Sequence, residues 1–220
     1  MLAGEAVAAI WNGIAAEARA DFYAWHVTEH MPERAGIPGF LRGRRYIAAD
    51  EATVPEFFTL YEAASFSVLQ GQDYANRLND PTPWTRAVTA QFRDTARSLA
   101  RVAASHGPGM GGMILTHRFA GISEIEVLQR LVADTAAAPR VTGAHLCVTD
   151  AKASGLRTTE TADRTDITDP PGAFILLEAT DMAALAPLLP DAALLHSGAR
   201  PPIRRGLYRL EYVRGKTACA

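Results

Sequence analysis

What most constrains this chain is the order in which its apolar periodicity changes. Residues 5–14, EAVAAIWNGI, are small and branched apolar residues and read as a strand. Over residues 16–31 the spacing switches to three and four, with Phe22, Trp25, His26 and Glu29 or His30 on one side of an amphipathic helix that should end near Met31 or run one ragged turn further, into the stretch punctuated by Pro32, Gly36 and Pro38-Gly39. FLRGRRYIAAD follows as a strand that carries its arginines, apart from Arg45, on the face of Phe40 and Tyr46. EFFTLYEA is the next strand, with Phe57, Thr59 and Tyr61 opposing Phe58, Leu60 and Glu62. Residues 65–79 have helical spacing, 82–94 add a second helical stretch opened by Thr82-Pro83, and 96–105 are a final strand. The stretch HGPGMGG then breaks the pattern.

Beyond that break the order recurs. MILTHRFAG is a strand, Ser123-Glu124 opens a helix through about Ala137, and VTGAHLCVTD is a strand. Residues 150–171 are a polar loop, AFILLEAT is the clearest strand of the chain, Asp181 caps a helical stretch, and GLYRLEYV closes the series. Strand, helix, strand, strand, helix, strand, twice, is the ferredoxin-like order, so the expected class is α+β with one unit over residues 1–106 and another over 111–220. One face of each antiparallel sheet lies under helices and the other must be buried, which two units in one chain can do for each other. The result would be a closed pseudo-dimeric α/β barrel whose interior could hold a ligand.

The bulk properties exclude several roles. With 48% apolar residues over 220 positions the core can be large without disulfides or structural metal. No apolar run reaches the length of a membrane helix, and no secretory leader is visible. Two cysteines, Cys147 and Cys219, without metal-type spacing fit a reducing compartment, and the expected location is cytoplasmic. A net charge of −2 leaves no concentrated positive field for a nucleic-acid backbone, and no membrane partner is expected. The arginine groups at 42, 44 and 45 and at 204 and 205 read as solvated surface or as anion sites.

The densest chemistry lies in Trp25-His26-Val27-Thr28-Glu29-His30. His26 and His30 are one helical turn apart and can face one cavity. With Glu29 they spell HxxEH, the inverted zinc-peptidase pattern, but the predicted helix is short and no third ligand follows. A simpler metal site would join His26 and His30 to Glu33, to Glu62 or to a histidine of the other half. Without metal, a neutral imidazole oriented by Glu29, Glu33 or Glu62 can move a proton. The bland alternative has His26 covering an apolar helix face and His30 bonded near the helix end. Tyr46, Tyr61, Trp84 and Trp11 either line a pocket or pack the core, and Arg45, if inward, would anchor a carboxylate or phenolate. His117, His145 and His196 indicate no site, and Cys147 reads as packing. No phosphate loop or dinucleotide fingerprint is present, so no organic cofactor is expected; haem stays open.

The segment WHVTEHMPERAGIPGFLRGRRY resembles the dimeric α/β-barrel superfamily, especially its EthD-like branch, through His30-Met31-Pro32 at a helix end and the Pro38-Gly39-Phe40 turn into a strand. The resemblance covers about residues 5–105; the rest matches in element order only. It implies ferredoxin-like units paired as a barrel, here as tandem halves in place of the usual homodimer, with further homodimerisation still possible. The superfamily includes muconolactone isomerases, polyketide cyclases, haem-degrading and quinone-forming monooxygenases and chlorite dismutase-like haem proteins. Fold likeness does not choose among them. The expectation is an enzyme on a small apolar or aromatic acid, ketone or phenol, of isomerase, cyclase or lyase type, with His30 moving a proton, Tyr61 and Arg45 stabilising an oxyanion, and Trp25, His26, Tyr46 and Trp84 shaping the pocket. The alternatives are a metal- or haem-dependent monooxygenase and a non-catalytic small-ligand binding or stress-response protein.

Overall fold

In the computed structural model, which describes residues 1–216, the first apolar stretch is β1 (Ala6–Ile14) and leads into one long helical run. This run consists of a 3-10 turn at Ala16–Ala18, α1 (Arg19–Trp25), a π-helical turn at His26–His30, and α2 (Met31–Gly36). It ends about one turn beyond Met31, the longer of the two ends that the sequence allows. The widened turn sits directly ahead of Pro32, whose missing amide hydrogen already interrupts the α pattern. Gly39, at φ 87°, then turns the chain into the next strand, where a Cβ would strike Val68.

Seven more long strands follow: β2 (Phe40–Ala48), β3 (Phe57–Ala63), β4 (Phe92–His106), β5 (Met113–Ile122), β6 (Val141–Thr149), β8 (Ala173–Ala179) and β9 (Ala199–Gly215). A two-residue strand, β7 (Ile167–Thr168), pairs parallel to β4. The helical stretch expected over 82–94 stops early, as α5 (Pro83–Thr89), and β4 takes over at Phe92. The expected Asp181 cap forms, accepting from the Ala184 amide, and Thr82 caps α5 by accepting from the Thr85 amide. The remaining helices are α3 (Phe66–Leu69), α4 (Gln72–Asn79), α6 (Ile125–Thr135), α7 (Ala151–Ser154), α8 (Met182–Leu185) and α9 (Asp191–His196).

The long strands run β1-β3-β2-β9-β5-β8-β6-β4, and β4 pairs back with β1. Every one of these pairings is antiparallel, so the chain is a mixed α+β fold around a closed eight-stranded barrel. The strands before Gly107 follow one another as β4-β1-β3-β2 and those after it as β9-β5-β8-β6; β2 with β9 and β4 with β6 sew the two sets together. No helix of the described residues is long and apolar enough to cross a membrane. Cys219 and the last residues of the 111–220 unit lie outside the described residues.

The barrel interior is filled, which corrects the expectation of a ligand cavity there. Trp11 stacks on Phe58 at 4.9 Å between ring centroids and meets Phe174 edge-on at 5.2 Å, while Tyr46 stacks on Phe58 at 5.6 Å. These rings, with Leu60, Leu176 and Tyr208, come from both halves of the chain and make one core. Cys147 is packed into the same core, where burial pushes its thiol up. Two further cores lie outside the barrel under the helices of the first half, and a third under those of the second.

One end of the interior is charged. Arg44, with no exposed surface, reaches Glu178 at 2.7 Å and Glu62 at 2.9 Å. Glu62 also takes Arg42 at 2.7 Å and the Ala3 amide at 2.6 Å, and Glu178 takes the Gly111 amide at 3.2 Å. His145 lies with its Nε2 3.4 Å from Glu178 and its Nδ1 2.9 Å from the Ser105 hydroxyl. Buried charge is tolerated because each ion has a partner.

Candidate functional site

The cavity with the greatest chemical potential lies outside the barrel, between the outer face of β1, β3 and β4 and the helices that cover it. Its volume is about 240 Å³. Trp25, His30 and Arg34 reach it from the first helical run, Tyr61 from β3, and Glu160 from the loop after α7. A wall contributed by the second half therefore closes a space built on the first.

The π turn sets the geometry of the helix face. Each turn takes more residues than in an α-helix, so Trp25 and His30, five apart, come side by side with ring centroids 4.3 Å apart. His26 and His30 rings are 5.5 Å apart. Trp25 is fixed from behind: its indole N–H donates to Thr85 Oγ1 at 3.1 Å, and Thr85 and Thr82 donate to Glu29. Arg34, one α-turn beyond His30, is buried and pairs with Glu160 at 2.5 Å and Glu33 at 3.4 Å.

Two polar atoms at this cavity have no partner. His30 Nδ1 and the Tyr61 hydroxyl are both buried without a hydrogen bond, and their rings stand edge to face at 6.2 Å. Buried polar groups are normally hydrogen-bonded, and these two unbonded atoms belong to residues that line one cavity. Burial, reinforced by the charge of Arg34 and by His26, holds the His30 imidazole well below its usual range and hence neutral at pH 7. Burial raises the Tyr61 phenol against the opposing charge of Arg34, so it stays protonated as a donor.

Of the residues expected in the site, the fold brings together His30, Tyr61 and Trp25 and separates the rest. Tyr46 is on the barrel side of β2, packed against Phe58. The arginine-bearing strand was misread because a register shift between Phe40 and Arg42 changes the alternation: Phe40 packs under the helices, whereas Arg44 and Tyr46 enter the barrel. Arg45 does face the helices, but it pairs with Glu211 at 3.2 Å, lies over the Tyr23 ring at 4.6 Å and does not line the cavity. His26 is beside it, Nδ1 3.4 Å from the guanidinium, in an aromatic cluster behind the cavity. Trp84 is peripheral and donates to Asp21.

The metal set of His26, His30 and Glu33 does not assemble. Glu33 turns to Arg34 and Arg77, a guanidinium occupies the approach to His26, and among the described residues no three His, Cys, Asp or Glu side chains converge. Two site residues escaped the sequence reading. Arg34 carried a usable signal, lying four residues beyond His30 as His30 lies beyond His26; Glu160, in an irregular polar loop, carried none.

No family model and no curated protein matches this chain by sequence. Solved structures do match over almost its whole length. An anthrone oxidase-like protein aligns over 98% of this chain and 95% of its own at TM-score 0.62 and 12% identity. A protein from Fusobacterium nucleatum subsp. nucleatum proposed to be a monooxygenase covers 98% and 96% at TM-score 0.58 and 8% identity. A chlorite dismutase variant from Candidatus Nitrospira defluvii covers 96% and 92% at TM-score 0.53 and 8% identity. At such identities the likeness is one of fold: these proteins share with this chain a mixed α+β architecture, here a closed eight-stranded antiparallel barrel with helices outside.

Proposed function

We propose that this protein is an enzyme on a small cyclic ketone or phenol, with His30 removing a proton from the bound substrate. The observation that carries this reading is the pair of buried, unbonded polar atoms, His30 Nδ1 and Tyr61 Oη, on the wall of one cavity. A neutral imidazole is a base at pH 7 without prior deprotonation. A phenol that stays protonated donates a hydrogen bond to the oxyanion formed when the substrate loses its proton. Arg34, held by Glu160, adds positive potential. Trp25 supplies a flat wall, and the volume limits the substrate to a few rings.

The deprotonated substrate has two fates. Return of the proton to another carbon is isomerisation. Transfer of electrons to dioxygen converts a ring methylene to a carbonyl, with one oxygen atom kept and the other released as water. The names of the structures this chain resembles favour the second, as an analogy of fold. The residues do not fit a haem: the cavity of about 240 Å³ is smaller than a porphyrin and is closed on one side by the Arg34–Glu160 ion pair. We also propose that the halves are tandem ferredoxin-like units, 1–106 and 111–220, supported by their matching strand orders, and that His30-Met31-Pro32 marks an EthD-like ancestry.

The deciding experiment follows oxygen uptake and product formation with tricyclic and bicyclic ketones and phenols. His30→Ala is expected to lose roughly 10²-fold or more in kcat while remaining folded. Product without oxygen uptake identifies isomerisation. Tight binding without turnover makes the protein a ligand carrier, and full activity in His30→Ala removes the proposed base.

A further inference from the structure

At the barrel mouth opposite the Arg44–Glu62–Glu178 cluster lies a second cleft of about 410 Å³, bounded by Arg118, Phe119, Asp169, Pro170, Pro171 and Arg204 among others. Arg118 is on β5 and only 5% exposed. One guanidinium nitrogen donates to the Val54 carbonyl at 3.2 Å, its carbon lies 5.0 Å over the Trp11 ring, and its Nε has no partner. Among the described residues no carboxylate is within ion-pair distance of it, Asp169 included.

Every other deeply buried arginine here has an anion: Arg34 has Glu160, Arg44 has Glu178 and Arg45 has Glu211. Arg118 instead faces Arg204, its direct cross-strand partner on β9. Like charges placed opposite each other on antiparallel strands repel, and a buried charge without counterion is strongly disfavoured. Both conditions are relieved by one anion bridging the two guanidinium groups, which present planar forks suited to a carboxylate. Of the remaining walls, Ala96, Phe119, Ala120, Pro170, Pro171 and Pro202 are apolar and suit a carbon body in place of hydration water, while Thr168 and Asp169 form a polar edge.

We propose that this mouth binds an organic carboxylate with a compact apolar body, held between Arg118 and Arg204. The site adjoins the His30 cavity, with Thr168, Asp169 and Pro170 as a shared wall, but Arg118 and Arg204 line this mouth alone.

The indole N–H of Trp11, directly beneath Arg118, reports occupancy in a nitrogen–proton NMR titration. Benzoate is expected to shift that resonance saturably, in the wild type and equally in His30→Ala. Benzamide, the same shape without charge, should leave it in place, and inorganic phosphate should bind more weakly than benzoate. Arg204→Gln, on the exposed side, should weaken benzoate roughly 10-fold, and Arg118→Met should abolish the response. If Arg118→Met does not fold, Arg204→Gln decides alone. The proposal is overturned by no saturable shift with benzoate, by undiminished binding in Arg204→Gln, or by phosphate binding as tightly as benzoate.

Discussion

Tyr61 and Leu177 hold corresponding places in the two halves. Each precedes a buried glutamate that closes the charged end of the barrel, and each lies across from a residue of the first strand of its half, Ala8 for Tyr61 and Leu115 for Leu177. Their surroundings differ sharply. Over Tyr61 stand His30, Arg34 and Trp25 with space between them. Leu177 belongs to a continuous packing of Leu115, Leu128, Val132, Ile175, Leu185 and Leu194. One helix-covered face holds several polar groups around open space, and the other is closed by apolar contact with His117 buried in it. The barrel needs neither state, because its strands close through backbone pairing and the shared interior core.

The comparison can be broken first where the halves are most alike. Glu178→Ala removes one partner of a fully buried arginine and should cost roughly 3–5 kcal/mol in chemical denaturation, with Glu62→Ala similar. A gap above about 2 kcal/mol between them would mean that the two glutamates are not equivalent supports. The next test sets the unlike faces side by side. Leu177→Ala should lose about 2–5 kcal/mol through an unfilled cavity. Tyr61→Phe deletes a hydroxyl that has no partner and should change stability by less than about 1 kcal/mol while lowering turnover roughly 10²-fold.

Acid sharpens the contrast further. In the second half His117 sits among apolar residues with neither ring nitrogen bonded, and burial, reinforced by Arg205, lowers it from 6.5 to about 4. The unfolded chain takes up that proton near pH 6.5 but the folded chain does so only near pH 4. Its contribution is therefore complete above pH 6.5 and declines by about 3 kcal/mol as pH falls to 4. His117→Leu should flatten that part of the stability profile and leave turnover unchanged, as a purely structural histidine requires. The smallest effect belongs to Trp84→Phe, which gives up a single surface hydrogen bond to Asp21. A loss under about 1 kcal/mol with normal turnover would confirm that Trp84 is outside the site, and a large fall in turnover would reopen its role.

Element order was legible because strand and helix periods differ along the whole chain; His30 and Trp25 stand out as candidates because chemistry-bearing residues are dense over 25–34, and Tyr61 only as an aromatic hydroxyl on a strand. Faces were harder. A strand's alternation predicts partners only while the register holds, and the shift between Phe40 and Arg42 separates Phe40, under the helices, from Tyr46, in the barrel, where alternation puts both on one face. Glu160 reaches Arg34 across 126 residues of chain, a separation over which local patterning carries no information. One signal was present and unused. Phe58, Leu60, Glu62 and Ala63 recur as Phe174, Leu176, Glu178 and Ala179, at the same positions of matching strands, and that repeat points to Glu62 and Glu178 as a matched pair.

The two strand pairings that sew the halves together, β2 with β9 and β4 with β6, are intramolecular. Noncovalent barrels built from two chains come apart on dilution, but here each half meets its counterpart at an effective concentration fixed by the short Gly107–Gly112 connection, whatever the abundance of the protein. A loop from one half can then serve as a wall for the other, as Glu160 does, with a stoichiometry of one His30 cavity per barrel.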